Sequence, residues 1–304
     1  MNTQKWQNLA VILVLIVLIA NALKDRFSEF QTINQTSNKQ IAMPFADLHL
    51  PENLDFCGEK VPLQETDVAE KLDRELVANV HAHSSTILIM KRANRWFGQM
   101  EKILKEHDIP EDFKYLVVIE SALQNEISPA GATGFWQFMK ETALEIGLEI
   151  NEEVDERYDP IKATKAACIY IKNAHRKLGN WTNVAASYNM GIAGVKNALE
   201  EQQVTSYYDL YLNPETTRYV FRALALKEIM ENPEKYHFEI SEKNLYKPLK
   251  TKTLTVNKTI EDLIAFALEQ KTTYKNLKIY NPWLRKKSLT VKDTTKKYEI
   301  LLPE

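Results

Sequence analysis

Apolar residues run along this chain in three patterns, and each predicts a different kind of segment. Leu9 to Ala20 is uninterrupted apolar, with Lys5 ahead of it. From Glu65 to His107 apolar residues recur at helical spacing (Leu72, Leu76, Val80, then Ile87, Met90, Ile103, Leu104), which predicts at least two helices. The run Tyr115-Leu116-Val117-Val118-Ile119 predicts a helix over Phe113 to Leu123, with Glu120 at its polar end. Asp159-Pro160 is a cap followed by a proline in the first turn, so it opens a helix that runs to about Lys177, before Gly179. Trp181 to Tyr188 and Ile192 to Glu201 predict two shorter helices, and Pro214 opens another that carries Glu215, Arg218 and Tyr219.

The period changes near Tyr246. Leu254-Thr255-Val256 is β-branched and strand-like, Ile260 to Glu269 and Tyr274 to Tyr280 read as helices, and Tyr298 to Pro303 reads as a closing strand. Between the N-terminal apolar run and the first helix the chain is polar and rich in Asn, Gln, Thr and Ser from Gln31 to Gln40, which predicts a linker. Met43 to Val61 carries scattered Pro and Gly without period and predicts an irregular arm on the surface. The expected organisation is therefore a targeting segment over 1–23, linker and arm over 24–64, a helical buttress over 65–108, a helical catalytic domain over 109–236, and a small module over 246–304. The expected fold class is mainly α with a small C-terminal α+β unit.

Ala20-Asn21-Ala22 offers the small-x-small pattern of a signal-peptidase site. The apolar core, even extended to Leu23, is shorter than the roughly 20 residues that span a bilayer, which favours a signal peptide. Trp6 at an interface would lengthen the usable span, so an uncleaved N-terminal membrane anchor stays open. Either way export to the periplasm or cell envelope is expected, with the membrane met only through this segment. No Cys follows the apolar core directly, which counts against lipidation.

With 44% hydrophobic and 26% charged residues in 304, the chain is globular, with one medium domain and one or two small ones. A net charge of −2 supplies no basic field for nucleic acid. Cys57 and Cys168 read as structural thiols, Cys168 within an apolar stretch, with a disulfide as the alternative that spacing does not decide. His81-Ala82-His83 is no metal site, because residues two apart on a helix face different ways. No metal or cofactor is expected.

Glu120 is the candidate catalytic residue. On a helix, Leu116 and Val117 lie one turn behind it and would desolvate its carboxyl, favouring the protonated form that an acid catalyst needs. A lone glutamate in such a place is more often an ordinary surface residue. Here, however, it opens Glu120-Ser121-Ala122, followed by Ser128-Pro129-Ala130-Gly131-Ala132-Thr133-Gly134-Phe135-Trp136-Gln137, Tyr188-Asn189-Met190-Gly191 and Glu215-Thr216-Thr217-Arg218-Tyr219-Val220.

With these three motifs in this order, the stretch from about Ile109 to Tyr236 resembles the soluble-lytic-transglycosylase domain, and most of all the membrane-bound murein transglycosylases of the D type. The likeness implies a goose-lysozyme-like helical fold acting on peptidoglycan glycan strands, with Glu120 as the only catalytic acid/base. It further implies that Ser128 orients an N-acetyl group or the catalytic carboxyl, and that the Tyr219 hydroxyl faces Glu120. Tyr188 and Asn189 match a Tyr-Asn-x-Gly motif that contacts sugar and the active carboxyl, with Ser187 in place of the usual Ala. Gln137 can serve an N-acetyl group or Glu120, and Gly131 and Gly134 would admit glycan close to backbone. Ser121 is expected to fix local backbone and Glu215 to be a buried orienting carboxylate. Phe135 and Trp136 replace a more usual Leu-Met, with Phe135 expected in the core and Trp136 open between core and cleft wall.

Glycoside hydrolysis usually employs two carboxylates, and no convincing second one is evident, since Glu126 and Glu141 read as solvated. The resemblance removes the need: attack by the muramyl C6 hydroxyl gives a 1,6-anhydro product without water. A lysozyme-like hydrolase and a non-catalytic wall-binding protein are the alternatives. The strand-helix-helix-strand order after Tyr246, with Asn281-Pro282 and the final Ile300-Leu301-Leu302-Pro303, resembles a lysin motif. Asn257-Lys258-Thr259 stands where that motif has Gly-Asp-Thr, which leaves sugar binding and a merely capping role both open. Oligomeric state is not legible.

Overall fold

A computed structural model describes residues 48–293 and 295–304, which belong to one compact unit. The signal peptide or anchor expected over 1–23, and the linker as far as residue 47, lie outside the described residues. Among those described, no helix is long and apolar enough to cross a membrane.

The described chain opens irregularly over 48–54, as expected of the arm, and then forms a short hairpin, β1 (Asp55–Phe56) and β2 (Glu59–Lys60), within it. Phe56 is fully buried, edge-on to Phe113 at 5.5 Å, and Cys57 N–H donates to Asp112 at 2.6 Å. A buried aromatic and a carboxylate anchor thus hold a segment whose composition alone suggested a loose arm. Two amphipathic helices follow, α1 (Thr66–His81) and α2 (His83–Glu106), broken at Ala82. His81 ends one and His83 begins the other, where the His83 ring stacks on Phe238 at 4.6 Å.

At the centre lies α3 (Lys114–Ser121), seven of whose eight residues are buried. The exception is Glu120. The helix stops at Ser121, two residues short of the predicted end, because Ala122 and Leu123 take left-handed backbone, φ 50° and 59°. Beyond a braced loop come α4 (Lys140–Glu145) and α5 (Pro160–Leu178), the latter capped by Asp159, whose carboxylate accepts from Ile161 N–H at 2.9 Å and Lys162 N–H at 3.0 Å, and closed by Gly179 at φ +79°. Then come α6 (Trp181–Met190), α7 (Ile192–Gln202) and α8 (Pro214–Glu231), the last capped by Asn213. Helix α8 packs on both α1 and α3, so the expected buttress shares one core with the catalytic segment. The bidentate pair of Arg218 with buried Glu75, at 2.6 and 3.1 Å, ties α8 to α1.

The C-terminal module is strand β3 (Thr251–Val256), helices α9 (Leu263–Glu269) and α10 (Tyr274–Tyr280), and strand β4 (Tyr298–Pro303), with β3 and β4 antiparallel from Thr251↔Pro303 to Val256↔Tyr298. Asn281 is fully buried and stitches the second helix to the sheet: its amide donates to Leu277 O and Leu301 O, and its Oδ1 accepts from Leu301 N–H. The small core, built on Leu263, Leu277, Trp283 and Ile300, also takes in Val154 from the helical domain. Thus the module is both a lysin-motif-like unit and a cap packed on its neighbour. Cys57 and Cys168 are both free thiols, and burial pushes the Cys168 thiol up to about 12.

Candidate active site

Glu120 sits in the last turn of α3, half-buried, with Leu116 and Val117 behind it at zero exposure. Burial raises its carboxyl to about 7; the Tyr219 hydrogen bond and the Arg222 charge hold it back, and the Glu215 charge pushes it further up. Tyr219 is buried and its hydroxyl donates to Glu120 Oε1 at 2.5 Å. With Oε1 engaged as an acceptor, Oε2 is the oxygen left to carry a proton.

Three residues of α8 surround the carboxyl: Glu215, Tyr219 and Arg222 lie at i, i+4 and i+7, one face of a helix. Arg222 was not singled out by sequence reasoning, although this spacing was there to find it. Its Nη2 donates to the carbonyl of Ile119 at 3.0 Å, next to Glu120. Arg92, from α2, donates to the carbonyl of Ala122 at 3.3 Å. Two arginines from different helices therefore hold the carbonyls freed by the early end of α3.

Glu215 is exposed, not buried as expected, because the first turn of α8 faces solvent. It accepts from Asn189 Nδ2 at 3.1 Å, while the Asn189 Oδ1 accepts from buried Thr216 at 2.7 Å. Tyr188 packs edge-on to Tyr170 at 5.3 Å and against Trp136 and Phe138, each at 5.9 Å. Its hydroxyl donates to the carbonyl of Trp136 at 2.8 Å, not to Glu120; burial first, and then the nearby Glu120 charge, raise the Tyr188 hydroxyl well above its ordinary value.

The loop from Glu126 to Phe138 departs most from expectation. Gln137 spends both amide hydrogens inside the loop, on Glu126 O at 3.0 Å and Gly134 O at 2.8 Å, and not on Glu120. Trp136 is fully buried, its indole N–H donating to Thr164 Oγ1 at 2.9 Å, so it belongs to the core with Phe135 and not to a cleft wall. Gly134, at φ +84°, approaches backbone rather than admitting glycan: a Cβ there would lie 1.9 Å from Arg157 O. Ser128 shapes a turn, its Oγ accepting from Ala132 N–H at 3.0 Å. Gly131, at φ +90°, stays exposed with room for a ligand. Ser121 holds backbone as expected, donating to Phe135 O at 2.8 Å, and Arg157, paired with Asp155, braces the loop from outside through Phe138 O at 3.1 Å. Glu126 and Glu141 are exposed.

Burial thus raises the Glu120 carboxyl to about 7 beneath a tyrosine hydroxyl at a helix end, the kind of setting in which acid/base groups are found. Residues 99–210 match the Transglycosylase SLT domain, and residues 252–304 match the Soluble lytic transglycosylase C-terminal LysM-like domain. The chain thus carries an SLT transglycosylase domain joined to a LysM-like one. Among curated proteins it is 28% identical over 190 residues to Membrane-bound lytic murein transglycosylase D of Escherichia coli (strain K12), covering 60% of this chain and 41% of that one, and equally to the protein of that name in Escherichia coli O6:H1. It is also 26% identical over 110 residues to a Putative tributyltin chloride resistance protein of Alteromonas sp. (strain M-1), 36% of this chain and 53% of that protein. The chain spans 41% of the length of the murein transglycosylases it matches.

Proposed function

We propose that this protein is a lytic transglycosylase of the cell envelope that cleaves the MurNAc-GlcNAc β-1,4 bond of peptidoglycan and leaves 1,6-anhydro-MurNAc. The observation that carries the reading is the Tyr219–Glu120 pair, a protonatable carboxyl held by a buried hydroxyl within a matched SLT domain. Glu120 Oε2 gives its proton to the glycosidic oxygen as the C1–O bond breaks. The muramyl C6 hydroxyl then closes on C1, and Glu120, now a carboxylate, takes the proton that this hydroxyl loses. Intramolecular attack supplies the high effective concentration that a free water lacks. Arg222 and the Tyr219 hydroxyl stabilise the carboxylate between the two steps, and neither step calls for a metal or cofactor.

Asn189 and the backbone of the 126–138 loop, with its exposed Gly131, are placed to meet N-acetyl groups, and Tyr188 to wall the cleft. The LysM-like module is proposed to bind the same glycan strands. A hydrolytic second reading rests on one observation, that Glu215 is an exposed carboxylate close enough to act on Glu120, where it could activate a water. Mass analysis of the soluble products from intact sacculi decides. Anhydro-muropeptides, one water lighter than hydrolysis products and absent with Glu120→Gln, are expected. Reducing-end products would establish the hydrolase, and no release by either protein would leave a wall-binding function.

A further inference from the structure

Away from Glu120, on the side of α8 turned toward α1, lies a groove of about 430 Å³ that the proposed chemistry does not use. Its charges do not cancel. Lys71 pairs with Asp67 at 2.7 Å and Arg218 with Glu75 at 2.6 Å, which leaves Arg74, exposed and with no acidic partner among the described residues. Opposite stands Tyr211, 90% exposed, the most exposed large apolar side chain among the described residues. The Tyr211 backbone is not loose. Its N–H donates to Gln202 Oε1 at 2.8 Å, and Gln202 Nε2 donates back to its carbonyl at 3.0 Å, so the ring is held out on a fixed base. The Tyr207 hydroxyl, donating to Thr216 O at 3.0 Å, pins the same loop to the first turn of α8, the turn that presents Glu215 to the cleft.

An exposed ring on a hydrogen-bonded backbone beside an unbalanced guanidinium suits a ligand that is both anionic and partly apolar. A glycan stripped of its stems keeps one lactyl carboxylate on each muramyl ring, but that group stays close to the strand; the stem peptide attached to the lactyl group carries its free carboxylates and apolar side chains farther out and leaves the strand at an angle. We propose that this groove is a subsite for that stem peptide, with Arg74 receiving a carboxylate and the Tyr211 ring covering the peptide's apolar side. The inference rests on the transglycosylase reading above and makes stem-bearing glycan the preferred substrate.

The test compares initial rates of the purified full chain on sacculi with intact stems and on glycan strands stripped of stems by an amidase. Both groove residues are exposed, so Arg74→Gln and Tyr211→Ala leave the fold undisturbed, and thermal denaturation verifies this. In the double variant the ratio of kcat/KM on stem-bearing to stripped glycan should fall about tenfold, with Arg74→Lys keeping much of the preference. A ratio equal to wild type would overturn the subsite, whether both rates fell together or neither moved. Wild-type protein releasing nothing from either substrate would overturn the proposed function and this inference with it.

Discussion

Glu120 is set between two opposing charges on one helix, and this makes its proton affinity adjustable from α8. In its proposed role as the acid it must be protonated, so kcat/KM on sacculi should fall as pH rises through about 7. Arg222→Gln removes a charge that favours the carboxylate and should move that limb to higher pH. Glu215→Gln removes one that disfavours it and should move the limb to lower pH. Stability carries the same signature. The folded-state pKa lies above the ordinary value of 4.5, so the native protein binds the extra proton between 4.5 and about 7 and loses stability as pH rises through that window. Glu120→Gln should therefore stabilise the protein at pH 8 by about 1–3 kcal/mol and much less at pH 4, as read by denaturant titration. Tyr219→Phe removes a bond that favours the carboxylate and should both raise the limb and lower kcat, by about tenfold or more.

At the scale of elements, the site depends on where α3 stops. Its apolar run announced a buried helix with one polar position, and that much was legible. The left-handed turn at Ala122 and Leu123, and the two arginines that satisfy the freed carbonyls, were not, because their partners lie 30 and 103 residues away in sequence. The 126–138 loop shows the same division. Its glycines and Gln137 were legible as special positions, but chemistry had been assigned to residues that the fold uses for bracing. Gly134→Ala would drive a Cβ into Arg157 O, and should cost about 3 kcal/mol in thermal or chemical denaturation, with activity lost through the displaced loop.

Across the whole molecule, the LysM-like module is docked by one acidic loop. The backbone of Glu153 accepts from Arg285 N–H at 2.6 Å, its carboxylate accepts from Thr290 N–H at 2.7 Å and from the Ser288 hydroxyl, and Glu149 accepts from Lys296 at 2.6 Å. The Ser288 hydrogen bond holds the Glu153 carboxyl below its ordinary value, so its contribution to docking is present above that ordinary value and is lost as pH falls through the lowered one. Glu149→Ala with Glu153→Ala should speed hydrogen exchange over residues 149–158 and in β4 while leaving α3 protected, which mass spectrometry of the exchanged peptides would read.

Local information was enough for what is local. The cap Asp159, the prolines Pro160 and Pro214 that open two helices, the helical period of α1 and α2, and the strand-helix-helix-strand order of the module all follow from residues within a few positions of one another. The desolvation of Glu120 was legible from the apolar run behind it, while its expected role as the acid came from the motifs that follow it and the resemblance they carry. Only the tertiary structure decided what surrounds that carboxylate: Arg222 beside Ile119, Glu215 in solvent, Trp136 in the core and the Tyr188 hydroxyl on a backbone carbonyl. Each depends on which segments meet across the fold, and a side chain's chemistry names the partners it can take without naming the one it finds.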